Sequence, residues 1–292
     1  MSAPARIAAG HLYVVATPIG NLDDFSPRAQ EVLGGVAAIC AEDTRNTAHL
    51  LTHFGIKKPL IAVHEHNEDE VCARLVARLQ AGDALALVSD AGTPLISDPG
   101  FAVVRAARNA NLPVLAVPGP CAAIAALSVS GIASDRFVFE GFLPAKAGAR
   151  RERLAELATE TRTLIVYESS HRIAEALADI VAVLGAERPL CLARELTKLY
   201  EESRRDSAAG IAAWLAADAN RTRGEFVLVI GGAAEASDRR QSEGERVLKL
   251  LLGELPASRA ARLAAEISGA RRKDLYALAL QLGGGQTGDD DA

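Results

Sequence analysis

Five short apolar runs limit what this chain can become: Leu12–Ala16, Ala37–Ala41, Leu60–Val63, Leu85–Val88 and Val114–Val117. None alternates apolar with polar residues, as a strand with one wet face would. Runs of this length without alternation are the mark of strands buried on both faces. Stretches with helical spacing separate them. Ala29, Val32 and Leu33 follow Ser26-Pro27, a side-chain cap and a proline at the first helical position. Leu50 and Leu51, then Val71, Leu75, Val76 and Leu79, then Val103, Val104 and Ala107 mark three more helices. Strand and helix in strict alternation predict a parallel sheet covered by helices.

Sheets of that kind bind ligands outside the carboxyl ends of their strands. The unusual residues of the first half gather there: Thr17-Pro18, Glu42-Asp43-Thr44-Arg45, His64-Glu65-His66-Asn67, the 89–100 loop and Pro118-Gly119-Pro120. The stretch LVSDAGTPLISDPG, residues 87–100, holds the densest turn chemistry, and its Ser97-Asp98 nearly repeats Ser89-Asp90. Two readings of that loop stand side by side. In one, Asp and Ser cap turns and the next helix. In the other, Asp90-Ala91-Gly92-Thr93 presents backbone and small side chains to a ligand, since glycine permits close backbone approach. Pro118-Gly119-Pro120-Cys121-Ala122-Ala123 divides the same way, between close helix packing and a ligand loop. Glu42 and Asp43 suit the first turn of a helix; Arg45 is less easily explained by capping.

The second half has a different rhythm. Phe137–Leu143, Thr163–Tyr167, Leu190–Ala193 and Phe226–Ile230 read as strands, with a charged helical region over 144–161 and a connection and helix over 203–214. Glu168-Ser169-Ser170-His171-Arg172 and Arg194-Glu195-Leu196-Thr197-Lys198 place acids and bases just beyond two of these strands, either as surface ion pairs or as cleft-lining groups. The expected organisation is an α/β domain over 1–119, a second over 120–233, a polar linker over 234–245, a small helical module over 246–282, and a disordered tail over 283–292.

Several function classes fall away. No apolar run approaches the roughly 20 residues of a membrane span, and the first ten residues lack the layout of a secretory leader. The four cysteines are scattered without a CxxC pair, which suggests neither zinc nor disulfides and fits a reducing cytoplasm. Gly283-Gly284-Gly285-Gln286-Thr287-Gly288 matches G-x-G-x-x-G literally, but it follows a helix and leads into an acidic tail, the wrong context for a dinucleotide loop. No phosphate-binding G-x-x-x-x-G-K-[ST] is present. His64 and His66 have no evident third ligand, so no metal site is expected. A net charge of −5 argues against a protein that coats nucleic acid. It leaves room for local basic clusters at Lys146, Arg150, Arg151 and Arg153 and at Arg271, Arg272 and Lys273, each equally readable as a solvated helix face.

These loops together resemble the tetrapyrrole-methylase superfamily, and within it the bacterial family of small-subunit ribosomal RNA cytidine 2′-O-methyltransferases. The matching segments are LYVVATPIGNLDD (12–24), AEDTRNTAHLL (41–51), HEHNE (64–68), LVSDAGTPLISDPG (87–100), VPGPCAAIAAL (117–127), FEGFLP (139–144), YESSHR (167–172), RELTK (194–198) and GEFVLVIGG (224–232). They run in order through nearly all of 12–232. The family pattern has proline where this chain has Ser170, which touches only the local turn. The 246–282 segment resembles the family's C-terminal helical module.

The resemblance implies two α/β domains with S-adenosylmethionine in the cleft between them, bound without a G-x-G-x-x-G loop. Carried over by position, the donor-binding residues are Pro18; Asp90, Ala91, Gly92 and Thr93; Cys121 and Ala122; and Tyr167, Glu168, Glu195 and Glu225. The implied chemistry is attack of a ribose 2′-hydroxyl on the sulfonium methyl. Positioning supplies much of the acceleration, and a base must accept the hydroxyl proton. Glu42, Asp43, His64, Glu168 and Lys198 are the unranked candidates for that base. Arg45, His64, Arg172 and Arg194, with Lys198, are candidates to hold RNA. The implied partner is 16S ribosomal RNA, naked or within the small subunit, and the implied assembly is a homodimer with no membrane association. Two rivals remain at this point: a methyltransferase acting on carbon atoms of a tetrapyrrole or corrin, and an RNA-binding module without catalysis.

Overall fold

The computed structural model describes residues 7–63, 68–234 and 236–283. His64 to Asn67 and nearly all of the 283–292 tail lie outside the described residues, so neither the His64 assignments nor the expected disorder of the tail is addressed by it. Residues up to Ala158 together with Arg162–Gly231 form one compact unit, and Thr159–Thr161 with the chain from Gly232 form another.

The first unit holds two five-stranded sheets. The chain runs β1 (Leu12–Val15), α1 (Pro27–Gly35), β2 (Ala38–Ala41), α2 (Thr44–His53), β3 (Leu60–Ala62), α3 (Glu68–Gln80), β4 (Leu85–Val88), α4 (Phe101–Asn109), β5 (Val114–Val117) and α5 (Ala122–Ser130). The Ser26 hydroxyl accepts from the Ala29 N–H at 3.1 Å to start α1, and the Asp43 carboxylate accepts from the Arg45 N–H at 2.8 Å to start α2. β1 to β5 form an all-parallel sheet in the order β3-β2-β4-β1-β5. Every residue of β2 and β4 is buried, the physical reason those runs do not alternate. The order places β4 between β2 and β1, so the chain winds outward to β3, returns to the centre, and leaves on the other side. The loops after β1, β4 and β5 therefore converge at one reversal point.

The second sheet follows: β6 (Phe137–Phe142), α6 (Ala147–Leu157), β7 (Thr163–Ser169), α7 (Ile173–Leu184), β8 (Pro189–Arg194), β9 (Glu202–Ser207), α8 (Ala208–Ala216) and β10 (Glu225–Ile230). Its order is β6-β7-β10-β8-β9; β6 and β7 are parallel, and the other pairs are antiparallel. Strand periodicity splits its core in two. Leu164, Val166, Leu190, Leu192, Leu228 and Ile230 pack with residues of α6, α7 and α8. Ile165, Cys191, Ala193, Val227 and Val229 pack with Ala123, Ala126 and Leu127 of α5. Each fully buried aliphatic side chain contributes about 1.5–3 kcal/mol. β9 was not foreseen. Its sequence, ESRRDS, has no apolar face, and it is a strand because its backbone pairs with β8 at the sheet edge.

Of the basic cluster expected at Lys146, Arg150, Arg151 and Arg153, two members are drawn into the protein. Arg150 is 1% exposed, and its Nε donates to Asp179 at 2.6 Å. Arg153 pairs with Glu140 at 2.7 Å and Glu156 at 2.6 Å. Arg150 ties α6 to α7 and Arg153 ties it to β6, so both are committed to protein carboxylates.

The second unit contains α9 (Ala236–Leu251), α10 (Ala257–Ser268) and α11 (Arg272–Gly283). The linker expected over 234–245 is mostly the first half of α9, a helix whose polar composition hid it. Val247 and Leu248 pack with Ala260, Ala261 and Ala264 of α10 and with Leu275 and Ala279 of α11. A Cβ at Gly244 would approach Ala270 and Ser268 to 2.8 Å, so glycine there permits the close approach of α9 to the α10–α11 turn. No helix among the described residues is long and apolar enough to cross a membrane.

Candidate functional site

The loop after β4 is built from small groups that bond to one another. Ser89 is buried, and its hydroxyl donates to the carbonyls of Ala91 and Gly92, each at 3.3 Å. Gly92 and Thr17 exchange two backbone hydrogen bonds, of 2.9 and 3.1 Å, which join this loop to the one after β1. Gly92 has φ +81°, and a Cβ there would stand 3.2 Å from Cγ2 of Ile19. The Thr93 hydroxyl donates to the Pro120 carbonyl at 2.9 Å and so joins the loop after β5. Three strand ends thus make one wall.

The opposing wall comes from the second sheet. Tyr167 Oη accepts from the Ala123 N–H at 3.0 Å, in the first turn of α5. Burial pushes its phenol well above the ordinary value. Phe139 and Phe142 meet the Tyr167 ring edge-on, with centroids 5.0 and 5.7 Å away. Strand β6 carries a register shift between Phe139 and Gly141, and a Cβ at Gly141 would lie 3.0 Å from the Ser97 hydroxyl oxygen. The far end of the 89–100 loop therefore rests on that bulge, with Leu95 and Ser97 both in left-handed backbone.

Between the walls is a cleft of about 300 Å³. It is lined by Ile19, Ala91, Gly92, Thr93, Ile96, Ser97, Asp98, Cys121, Ala122, Phe142, Tyr167, Glu168, Ser169, Leu196, Glu225, Phe226 and Val227. Of the donor-binding residues named from sequence, Ala91, Gly92, Thr93, Cys121, Ala122, Tyr167, Glu168 and Glu225 line it. Pro18, Asp90 and Glu195 are not among the lining residues. Asp90 accepts from the Asp43 N–H at 3.1 Å and from the Asn46 amide at 2.8 Å, so its carboxylate anchors α2 to the loop. Glu195 accepts from Lys198 Nζ at 2.9 Å and from the Glu225 N–H at 3.0 Å.

The candidate bases separate once their surroundings are known. The Arg45 guanidinium beside Asp43 holds its carboxyl down at about 2, and the same group caps α2. Lys198 donates to Glu195 and, at 2.7 Å, to Glu225. Burial alone would lower its pKa, but the two carboxylates outweigh that and raise it. An ammonium so held cannot accept a proton. The buried Glu168 accepts from the Ser169 N–H at 2.8 Å and from Arg172 at 3.1 Å, which makes it part of a closed pair.

Asp98, absent from the sequence candidates, behaves differently. Burial pushes its carboxyl up to about 6, partly opposed by the Ser89 hydroxyl and reinforced by the negative charges of Glu42 and Asp90. It lines the cleft with a carboxyl whose pKa is raised by burial, the combination a proton acceptor needs. The signal for it was present in the near-repeat Ser89-Asp90, Ser97-Asp98. Ile19, Ile96, Phe142, Leu196 and Val227 were also unforeseen; they supply the apolar part of the lining.

The residues named for RNA divide as well. Arg45 is exposed over 86% of its side chain, and its ion pair is with the half-buried Asp43 at 2.7 Å. Arg172 donates to the carbonyls of Leu143 and Pro144 and to Glu168, which commits it to the protein. Arg194 is largely buried, donates to the Asn220 carbonyl at 3.0 Å and lies 3.8 Å from Glu202. Both are structural clamps. Among the described residues no group of three or more His, Cys, Asp or Glu is placed to hold a metal ion.

Comparison with known proteins accords with this geometry. Residues 11–212 match the family model of tetrapyrrole (corrin/porphyrin) methylases, and residues 238–283 match that of the RsmI C-terminal HTH domain. A protein of Xylella fastidiosa named ribosomal RNA small subunit methyltransferase I is 58% identical over 91% of this chain and 98% of its own length. Proteins of the same name from Pseudomonas aeruginosa and Escherichia coli O157:H7 are 56% and 52% identical, over 94% and 93% of this chain and 98% and 95% of their own lengths. Among solved structures, the methyltransferase CobJ superposes with a TM-score of 0.56 at 17% identity, over 77% of this chain and 95% of its own. A uroporphyrin-III C-methyltransferase of Thermus thermophilus, solved with S-adenosylhomocysteine, gives 0.51 at 17% identity, over 76% and 96%. Those two likenesses carry the fold.

Proposed function

The chain belongs to the tetrapyrrole (corrin/porphyrin) methylases, in the group of ribosomal RNA small subunit methyltransferase I, and from that premise we propose that it methylates the 2′-hydroxyl of a cytidine ribose in 16S ribosomal RNA, with S-adenosylmethionine as donor. The observation that carries this reading is identity above 50% to proteins of that name over more than nine-tenths of the chain.

The cleft fits the donor in size and chemistry. About 300 Å³ lies at the lower end of small-molecule sites. Ile19, Ile96, Phe142, Leu196 and Val227 offer apolar surface to an adenosyl group, and Glu225 adds a carboxylate to the lining. Ala91, Gly92, Thr93, Cys121, Ala122 and Tyr167 would hold it from two sides. Pro18, Asp90, Glu168 and Glu195 would keep those walls in place. When bound, S-adenosylmethionine supplies an electrophilic methyl group on a positively charged sulfur and leaves as a neutral thioether.

The remaining work falls to the chain. The Asp98 carboxylate, its pKa raised by burial, accepts the proton of the attacking ribose hydroxyl. Tyr167, fixed to the Ala123 N–H and flanked by Phe139 and Phe142, keeps that side of the cleft dry. Lys198 offsets the charge of Glu195 and Glu225 and packs its stem over Gly20, joining the loop after β1 to the one after β8. Arg45, at the exposed start of α2, holds a phosphate of the RNA.

A cytoplasmic enzyme follows from a ribosomal substrate. Exposed apolar side chains on the first unit, Leu115 of edge strand β5 and Ile124 and Val129 of α5, support self-association into a homodimer. The domains of this reading are 1–119, 120–233 and the module over 246–282.

Labelled methyl transfer from S-adenosylmethionine to small ribosomal subunits lacking their own ribose methylation, with nuclease mapping, tests the proposal. One 2′-O-methylated cytidine is expected. Donor binding with transfer to a tetrapyrrole ring carbon, and none to RNA, would replace it.

A further inference from the structure

The second unit differs in charge from the chain around it. Residues 238–283 hold nine Lys and Arg against six Asp and Glu, whereas the whole chain has 32 against 37. Part of this excess is already paired: Arg246 with Glu243 at 2.8 Å and Arg262 with Glu266 at 3.2 Å. Arg271, Arg272 and Lys273 are exposed, and none has an ion-pair partner among the described residues. They fall at the start of α11, after a three-residue turn led by Gly269 at φ +71°. The Arg240 stem lies against that turn, since a Cβ at Gly269 would stand 3.1 Å from its Cδ. Four cations therefore gather at one end of the helix.

The outer face of α11 continues from them. Leu275 and Ala279 turn inward to the core of the unit, whereas Tyr276 and Leu280 remain 41% and 54% exposed. At roughly 100° per residue, Arg272, Lys273, Tyr276 and Leu280 lie within an arc of about 100°. An exposed stripe of unpaired cations followed by an aromatic ring and a leucine gains little in water. It suits a polyanion whose bases offer flat apolar faces.

We infer that the Arg272–Lys273–Tyr276 face of α11 is a second RNA-anchoring surface, on which Arg271, Arg272, Lys273 and Arg240 neutralise phosphates and Tyr276 stacks on an unpaired base. The inference rests on the proposed RNA substrate and adds a second anchor for it, outside the cleft. Charge complementarity selects RNA over a ribosomal protein as the occupant.

The test compares the full-length chain with two variants: Arg271→Ala/Arg272→Ala/Lys273→Ala, and Tyr276→Ala. All four side chains are exposed and bear little on folding, which circular dichroism verifies. Binding to 16S RNA without donor is measured over a salt series, beside the kinetics of methyl transfer to small subunits. The triple variant should bind RNA at least tenfold more weakly at 0.15 M salt, with its log–log salt slope reduced by about 2–3. Its KM for subunits should rise while kcat and donor affinity hold. Tyr276→Ala should weaken RNA binding severalfold without moving the slope, and Tyr276→Phe should restore it. Unchanged binding and slope in the triple variant would overturn the inference. So would a loss confined to assembled subunits with naked RNA unaffected, which would assign the face to a ribosomal protein. If the unaltered chain binds RNA through this face yet transfers no methyl group, the proposed function fails and the anchor stands.

Discussion

The Asp90 carboxylate accepts from the backbone N–H of Asp43 at 3.1 Å, and so ties the loop after β4 to the first turn of α2. With its second bond to the Asn46 amide, both oxygens are used within the protein. Asp90 is therefore a positioning residue: it sets where Ala91, Gly92 and Thr93 stand along the cleft.

Asp90→Ala removes both bonds and should loosen the loop. Hydrogen bonds to charged groups are worth about 1.5–3 kcal/mol each, so a clear drop in thermal stability is expected. Donor affinity by calorimetry should fall about tenfold. An affinity equal to that of the unaltered protein would refute the positioning role.

Asp98→Asn should reduce methyl transfer at least 100-fold while leaving donor binding within a few-fold, because general-base catalysis contributes about 10²–10⁴. In the unaltered protein, kcat/KM should fall as pH drops through about 6, where the Asp98 carboxyl takes up its proton. The residual activity of the variant should lack that limb. Its retention would point to another base.

The same residue makes a stability prediction of definite sign. Burial raises the Asp98 pKa from 3.8 to about 6, so its contribution to stability is full below the unfolded value and is lost as pH rises through the folded one. Asp98→Asn should therefore melt higher than the unaltered protein at pH 8, with the gap closing by about pH 4. Melting curves at the two pH values decide it, and a gap of the opposite sign would mean that the carboxylate is stabilised where it lies.

Gly92→Ala places a side chain on a backbone at φ +81°, with its Cβ 3.2 Å from Ile19. A loss exceeding about 1 kcal/mol is expected from the backbone conformation, together with weaker donor binding as the wall shifts. Denaturant titration and calorimetry measure the two effects.

Arg150→Ala would leave the mostly buried Asp179 with only the longer 3.5 Å contact to the exposed Arg151. Breaking a buried pair by removing one partner costs about 3–5 kcal/mol. Replacing both residues together, as Arg150→Met/Asp179→Leu, should recover most of it. A single variant as stable as the parent would show that Arg151 suffices to hold the carboxylate.

The sequence by itself determined the parallel sheet and the place of the cleft. Strand burial on both faces leaves an unalternated run such as Leu85–Val88, and a ligand loop needs turn residues such as Gly92, whose φ no other residue adopts cheaply. Both are local properties, written within a few positions. It could not show β9, because ESRRDS becomes a strand only through the backbone of β8. Nor could it separate Asp90 from Asp98, which sit in nearly identical surroundings along the chain. Tertiary structure gave one to the start of α2 and pushed the other into a cleft facing Glu42. It likewise buried Arg150 against Asp179 and held Lys198 between two glutamates, while Arg272 and Lys273 stayed in solvent. Charge, burial and partner are set by neighbours distant in sequence, and those neighbours decide whether an acid is a cap, a clamp or a base.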